Sequence, residues 1–165
     1  MPVTASGILS EPLAVLRTML SESASFQTWV AAANAAAALA SIYLIGTDAP
    51  VRPYAIVTRI DNWSSDLVGG SPGDYGFIGR GRLYFDFEDA IASGNQASYA
   101  DSLLAFQNNV GAVIVDLQNA SGGSERLLLR RFEMVAGPQR FDKTETNSDA
   151  DALWCRFSVD YGLEA

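Results

Sequence analysis

Residues 79–90 read GRGRLYFDFEDA. Arginines and aromatics share this short run, which partly matches the strand pattern that stacks RNA bases on aromatic rings. Alternation by two puts Leu83, Phe85 and Phe87 on one face and Arg80, Arg82, Tyr84, Asp86 and Glu88 on the other. A base-stacking strand needs aromatics at the third and fifth positions of its motif. Here the third is Arg82, only Tyr84 remains, and two acids on the same face repel phosphates. No companion strand of that type occurs. The reading that decides the fold is therefore a strand with aromatics in a core and a two-signed charged face turned to a protein neighbour.

Working outward, the same alternation recurs near the C-terminal end. In residues 152–161, Leu153, Cys155, Phe157, Val159 and Tyr161 face one way, and Trp154, Arg156, Ser158 and Asp160 face the other. Strands are also expected at 42–46, 51–60, 77–87 and 125–136. A turn, TDAP, separates the first two. The connections 61–76 and 137–151 are too long for tight hairpins, and unstructured loops of such length are commonly functional or mobile. Two helical regions complete the pattern. Ser10-Glu11-Pro12 is a helix start with a capping hydroxyl and a proline where the missing N–H is harmless. Leu13, Leu16 and Leu20 then share a face. A second helix is expected from Ser23 or Ser25 through the alanine-rich run, burying Phe26, Trp29, Val30 and Ala33. In residues 98–117 Tyr99, Leu103, Phe106, Val110, Val113 and Leu117 recur at spacings of three and four, with Ser98 as cap. The expectation is one α+β domain over 1–165: helices in 10–40, strands in 42–87, a helix at 98–118 and strands in 125–161. Its sheet is mainly antiparallel, with helices packed on one face.

The totals narrow the function. The 165 residues are 48% hydrophobic and 18% charged, a globular composition with enough chain for a sizeable core. The net charge of −8 repels polyanions on average, and ten arginines with the single lysine Lys143 are scattered along the chain. Histidine is absent, which removes the commonest general base, the usual hydrolase triads and most zinc sites. The lone Cys155 excludes an intrachain disulfide and sits in an alternating core context. No cationic run followed by an apolar one opens the sequence, so no signal peptide is expected. Residues 26–47 carry no charge and approach the length of a membrane span, but alanine supplies most of them and no basic flank follows.

Chemical motifs fail one by one. GGSPG at 69–73 matches the nucleophile elbow G-x-S-x-G formally, yet it lies mid-loop and has no histidine partner. Gly76, Gly79 and Gly81 do not form a dinucleotide fingerprint, and no phosphate-loop lysine exists. Asp142, Glu145, Asp149 and Asp151 lack the glycine and terminal glutamate of a calcium loop. Asp86 and Glu88 share a strand face as glycosidase acids can, but Arg80 and Arg82 on that face make a salt-bridged surface the simpler reading. No catalytic residue, metal or cofactor is indicated.

Several phrases then point to a family. The helical opening PLAVLRTMLSESASFQTWV, the strand RPYAIVTRI and the aromatic strand GRGRLYFDFE come in that order. The helix YADSLLAFQNNVGAVIVDL and the closing strands RLLLRRFEMV and LWCRFSVDYGL follow. In order and type these resemble bacteriophage tail terminator and tail-completion proteins of the head–tail joining kind. The resemblance implies a non-enzymatic virion part of the tail or neck, assembled in the host cytoplasm. It forms a ring, commonly a hexamer, that caps the tail tube, stops its growth and meets a head-completion or connector protein. DNA passes through the lumen without specific binding, and no membrane is involved. Arg80, Arg82, Tyr84 and Asp86 are the expected subunit-interface residues. Trp63 and Asp66 in the first long loop, and Arg140 and Asp142 in the second, are the expected loop contacts. The alternatives are a neck or head–tail connector or another tail component, a nucleic-acid-binding module using Tyr84 and the arginines, and an enzyme working without histidine.

Overall fold

A computed structural model describes residues 9–44, 50–64, 77–91, 96–120, 127–141 and 152–164. Three short helices lead: α1 (Glu11–Glu22), α2 (Ala24–Trp29) and α3 (Ala35–Ala38), the last running into a 3-10 turn at Leu39–Ser41. Strands β1 (Ile42–Leu44), β2 (Tyr54–Ser64) and β3 (Phe77–Ala90) follow, then the long helix α4 (Gln96–Ala120), β4 (Leu127–Phe141) and β5 (Ala152–Glu164). The five strands form one sheet in the order β1-β2-β3-β5-β4, antiparallel except for β1 beside β2. The expected α+β class, with a mainly antiparallel sheet, is what the chain adopts.

The core follows from the two periodicities. Leu83, Phe85 and Phe87 of β3 are fully buried, as are Leu153, Cys155 and Val159 of β5. They meet Leu16 and Leu20 of α1, Phe26 of α2, and Phe106, Val110, Val113 and Leu117 of α4. Each fully buried Phe or Leu contributes about 1.5–3 kcal/mol by leaving water. The expected stripes of α1 and α4 and the inward rows of β3 and β5 are thus in place. Trp29 closes the layer, its ring 5.7 Å from both Phe87 and Phe106, while its indole N–H donates to Asp89 at 2.9 Å.

The alanine-rich run is not one helix, contrary to the expectation. Two local hydrogen-bond systems interrupt it. At the end of α2, Ala32 N–H donates to the Gln27 carbonyl and Ala31 N–H to that of Thr28, with Ala31 at φ 54°. This is the Schellman closure, with alanine where glycine is usual. Three residues after Ala31, Asn34 restarts the helix by accepting the Ala37 amide on its side-chain oxygen at 2.9 Å. Ala33, expected to be buried, lies exposed between the two devices. Ser23 does cap α2, accepting from the Phe26 amide. Ser10 stands at the α1 start in a helical conformation without a side-chain cap bond, and Ser98 falls inside α4 because that helix begins at Gln96.

The sheet departs from expectation in two ways. β1 and β2 run parallel, with Ile42 opposite Ala55, so the two strands are not a hairpin. Both long connections also start later than expected. β2 runs on to Ser64 through a register shift around Asn62, which takes the left-handed φ of 54° that asparagine tolerates. β4 runs on to Phe141 through Gly137 and Pro138. Bulges absorb these turn-like residues. The register of β4 on β5 slips three times, each time with the extra residue in β4, so 14 steps from Leu127 to Phe141 match 11 from Ala152 to Leu163. β3 and β5, by contrast, pair in constant register from Gly79 to Ala90. Among the described residues no helix is long and apolar enough to cross a membrane.

Candidate interaction surface

The face of the sheet turned away from the helices carries the charged residues, and register decides which of them meet. Across the strands run rows in which Glu88 lies between Tyr54 and Trp154, Asp86 between Ile56 and Arg156, Tyr84 between Arg59 and Ser158, and Arg82 between Asp61 and Asp160. Some of the ion pairs join neighbouring strands, as Arg156–Asp86 and Arg82–Asp160 do, and others, Arg59–Asp61 and Arg131–Glu133, lie along one strand. Arg156 holds Asp86 with two parallel bonds at 2.7 and 2.8 Å, and the Trp154 indole N–H adds a third at 3.2 Å. Arg52 meets Glu88 at 2.6 Å, and the Tyr54 hydroxyl donates to the same carboxylate. Arg82 bonds Asp160 at 2.8 Å and approaches Glu133 at 3.7 Å, while Arg131 takes Glu133 at 2.7 Å. Arg59 pairs with Asp61 and lies over the Tyr84 ring, 4.6 Å from its centroid.

These contacts revise the expected subunit interface. Arg80, Arg82, Tyr84 and Asp86 do share the helix-free face. Arg80 is exposed, and Arg82 and Tyr84 are half-buried. Asp86 is only 7% exposed and is engaged on both carboxylate oxygens within its own chain, so it is a structural anchor and not a docking group. The expected pairing of Asp86 and Glu88 with Arg80 and Arg82 is also replaced: Asp86 takes Arg156 from the adjacent strand β5, and Glu88 takes Arg52 from the segment just before β2. Residues two apart on one strand stand about 7 Å apart, whereas direct cross-strand partners are closer, at about 5 Å.

Trp63 lies at the end of β2 and not in a loop. It remains 39% exposed, with its indole against Gly79, where a Cβ would come within 2.9 Å of the ring nitrogen. That close approach explains a glycine in this strand. Arg140 falls in β4 opposite Leu153. Asp66 and Asp142 lie outside the described residues.

At the Asn62 end of the face an open cleft of about 390 Å³ is lined by Asn62, Arg80, Gly81, Arg82, Arg130, Arg131, Asp160, Tyr161 and Gly162. Four arginines converge here in a chain of net charge −8. The first β4 bulge produces this. Between the Leu129–Tyr161 and Phe132–Val159 pairs, Arg130 and Arg131 together oppose Asp160. Without it, consecutive residues would point to opposite faces. Arg130, Arg131, Asp160 and Glu133 were not expected site residues. The doublet RR inside the strand RLLLRRFEMV was the available signal, since a half-buried strand has no ordinary place for two adjacent arginines.

The hydrogen bond that Arg82 donates to Asp160 holds the Arg82 guanidinium above its ordinary value, and the bonds that Arg156 donates to Asp86 do the same for Arg156. Burial, then the hydrogen bond to Glu88, pushes the Tyr54 phenol up. Cys155 is fully buried and its thiol is pushed up to about 12 by that burial, so it is not a poised nucleophile. Among the described residues no group of three or more Cys, Asp or Glu is placed to hold a metal.

No family model matches this chain, and no curated protein matches it.

Proposed function

We propose that the chain is a ring-forming tail terminator, which caps a phage tail tube and presents the opposite surface of the ring to the head. One observation carries the reading beyond the resemblance of its segments. The sheet has two dissimilar edges, and each bears exposed large apolar side chains: Leu44 on β1, and the consecutive Met134 and Val135, 55% and 53% exposed, on β4. A contact between unlike surfaces is heterologous, and a heterologous contact that closes makes a ring. The helix-free face supports the same reading. Its charges are largely matched within the chain, so it adds complementarity of shape and register to an interface without strong long-range attraction. The partners in this reading are further copies of the chain, the tube protein and a head-completion or connector protein. DNA passes through the bore, kept from sticking by the acidic balance.

Light scattering across the micromolar range, with electron microscopy of the purified protein, tests the proposal. The expected result is a discrete closed ring with a central bore, which arrests tube polymerisation when added to tube subunits. A species monomeric at high micromolar concentration, or turnover of a substrate, overturns it.

A further inference from the structure

We infer that the outer face of α4 is a two-fold contact, where it packs antiparallel against α4 of a second copy. The inference is independent of the ring reading, because a ring contact joins unlike surfaces and this one joins a surface to itself. α4 buries Phe106, Val110, Val113 and Leu117 in the core. Its opposite side carries Asp101, Leu104, Asn108, Gly111, Val115 and Gln118, all exposed. These follow one another at spacings of 3, 4, 3, 4 and 3 residues, the seam with which one helix meets another. Leu104 and Val115 are large apolar side chains left 58% and 53% exposed. Residues 102–115 contain no Asp, Glu, Lys or Arg, although the exposed side of a surface helix is usually charged. Gly111 is a separate sign. A glycine inside a helix weakens it. Gly79 and Gly81 are explained by Trp63 and Tyr161, which a Cβ would strike, but at Gly111 nothing lies within 4 Å of the Cβ position. The described residues make no use of that notch, whereas a second helix approaching closely does.

The seam specifies its own occupant. Its spacing reads the same in both directions, so a two-fold axis midway between Asn108 and Gly111 pairs each position with another of the row. Leu104 then meets Val115 of the second copy, and Asn108 enters the notch at Gly111. Asp101 comes opposite Gln118, not opposite another acid. Parallel packing would instead set Asp101 against Asp101 and leave a gap between two glycines. A chain of net charge −8 repels its copies on average, and the antiparallel seam lets them touch with no like charges opposed. Asn108, polar at the centre of the seam, fixes the register. The row spans about 26 Å at 1.5 Å per residue. Two helices in contact over that length reach the lower end of specific interfaces, about 1,000 Å² in total, so the pairing is reversible.

The test is cross-linking and sedimentation of the full-length chain. Its own Cys155 is buried and does not compete. Leu104→Cys mixed with Val115→Cys is expected to give a disulfide-linked dimer on mild oxidation. Either variant alone is expected to give none, because the two copies of one position stand about 16 Å apart along the antiparallel pair. Leu104→Glu combined with Val115→Glu is expected to raise the dissociation constant of the pair at least tenfold, with an unchanged circular dichroism spectrum. Gly111→Leu, which fills the notch, is expected to do the same while the dilute protein melts no lower than before. If the unaltered protein pairs through α4 and closes no ring, the ring reading falls and this inference stands. If it forms rings and the glutamate variant leaves every assembly unchanged, the ring reading stands and this inference is overturned. It is also overturned if either cysteine variant cross-links readily with itself, which would mean a different register. A lower melting point of the glutamate variant without a change in mass overturns it too, since the face would then be covered by its own chain.

Discussion

Asp86 and Arg156 face each other directly across β3 and β5, fork to fork, with the Asp86 side chain buried and that of Arg156 31% exposed. Asp86→Ala leaves a guanidinium and the Trp154 indole N–H without their acceptor. Breaking a largely buried pair from one side costs about 3 kcal/mol. Urea denaturation is expected to show that loss, and Asp86→Ala combined with Arg156→Met is expected to recover part of it. A loss below about 0.5 kcal/mol would mean the pair is solvated.

Ala31 holds a left-handed conformation at the close of α2, a position where a Cβ is a handicap. Ala31→Gly is expected to stabilise the protein by about 0.5–1 kcal/mol, read as a higher denaturation midpoint at constant slope. Destabilisation would show that α2 closes differently.

Asp116 of α4 accepts the Ser23 hydroxyl at 2.7 Å and the Ser25 amide at 2.9 Å, joining α4 to the start of α2. The Ser23 bond first, then the Ser25 amide, lowers the Asp116 carboxyl below its ordinary 3.8. A depressed carboxylate stabilises the fold fully above the unfolded value, and that contribution is lost as pH falls through the lower folded value. Asp116→Asn is therefore expected to cost about 1 kcal/mol at neutral pH. The gap to the unaltered protein should close as pH drops below the ordinary carboxylate range. A gap independent of pH would contradict the assignment.

Gly81 sits against Tyr161, so that a Cβ there would come within 2.8 Å of the ring. Tyr161 is 3% exposed, and its hydroxyl has no hydrogen-bond partner among the described residues. Gly81→Ala should cost about 1–3 kcal/mol by overpacking. Tyr161→Phe should cost nothing or stabilise slightly, since it removes a buried, unpaired hydroxyl. Thermal melts of both variants check this; a destabilised Tyr161→Phe would reveal a partner for the hydroxyl.

The parts of the fold visible in the sequence were those that depend on period alone. Leu83, Phe85 and Phe87 alternate, Phe106, Val110, Val113 and Leu117 recur along a helix, and burial followed both patterns. What the sequence hid depends on register or on bonds spanning three to five residues. Alanine propensity favours a continuous helix, and the Ala31 closure and the Asn34 cap override it. Asn62, Gly137 and Pro138 look like loop residues because they suit turns, yet the sheet uses them where its register shifts. Charges on one strand face invite pairing along that strand, but a one-residue slip changes every cross-strand partner. For that reason Arg156 could not be assigned to Asp86, nor Arg130 and Arg131 to Asp160, before the strands were aligned.

The three surplus residues of β4 carry a last consequence. Strands that polymerise into fibrils need an evenly spaced ribbon of amide and carbonyl groups, repeated without interruption. This outer strand breaks that cadence near Arg130, Val135 and Gly137, so an incoming chain finds only short stretches of matching backbone. Copies at high concentration therefore meet no long, evenly spaced run of backbone on β4.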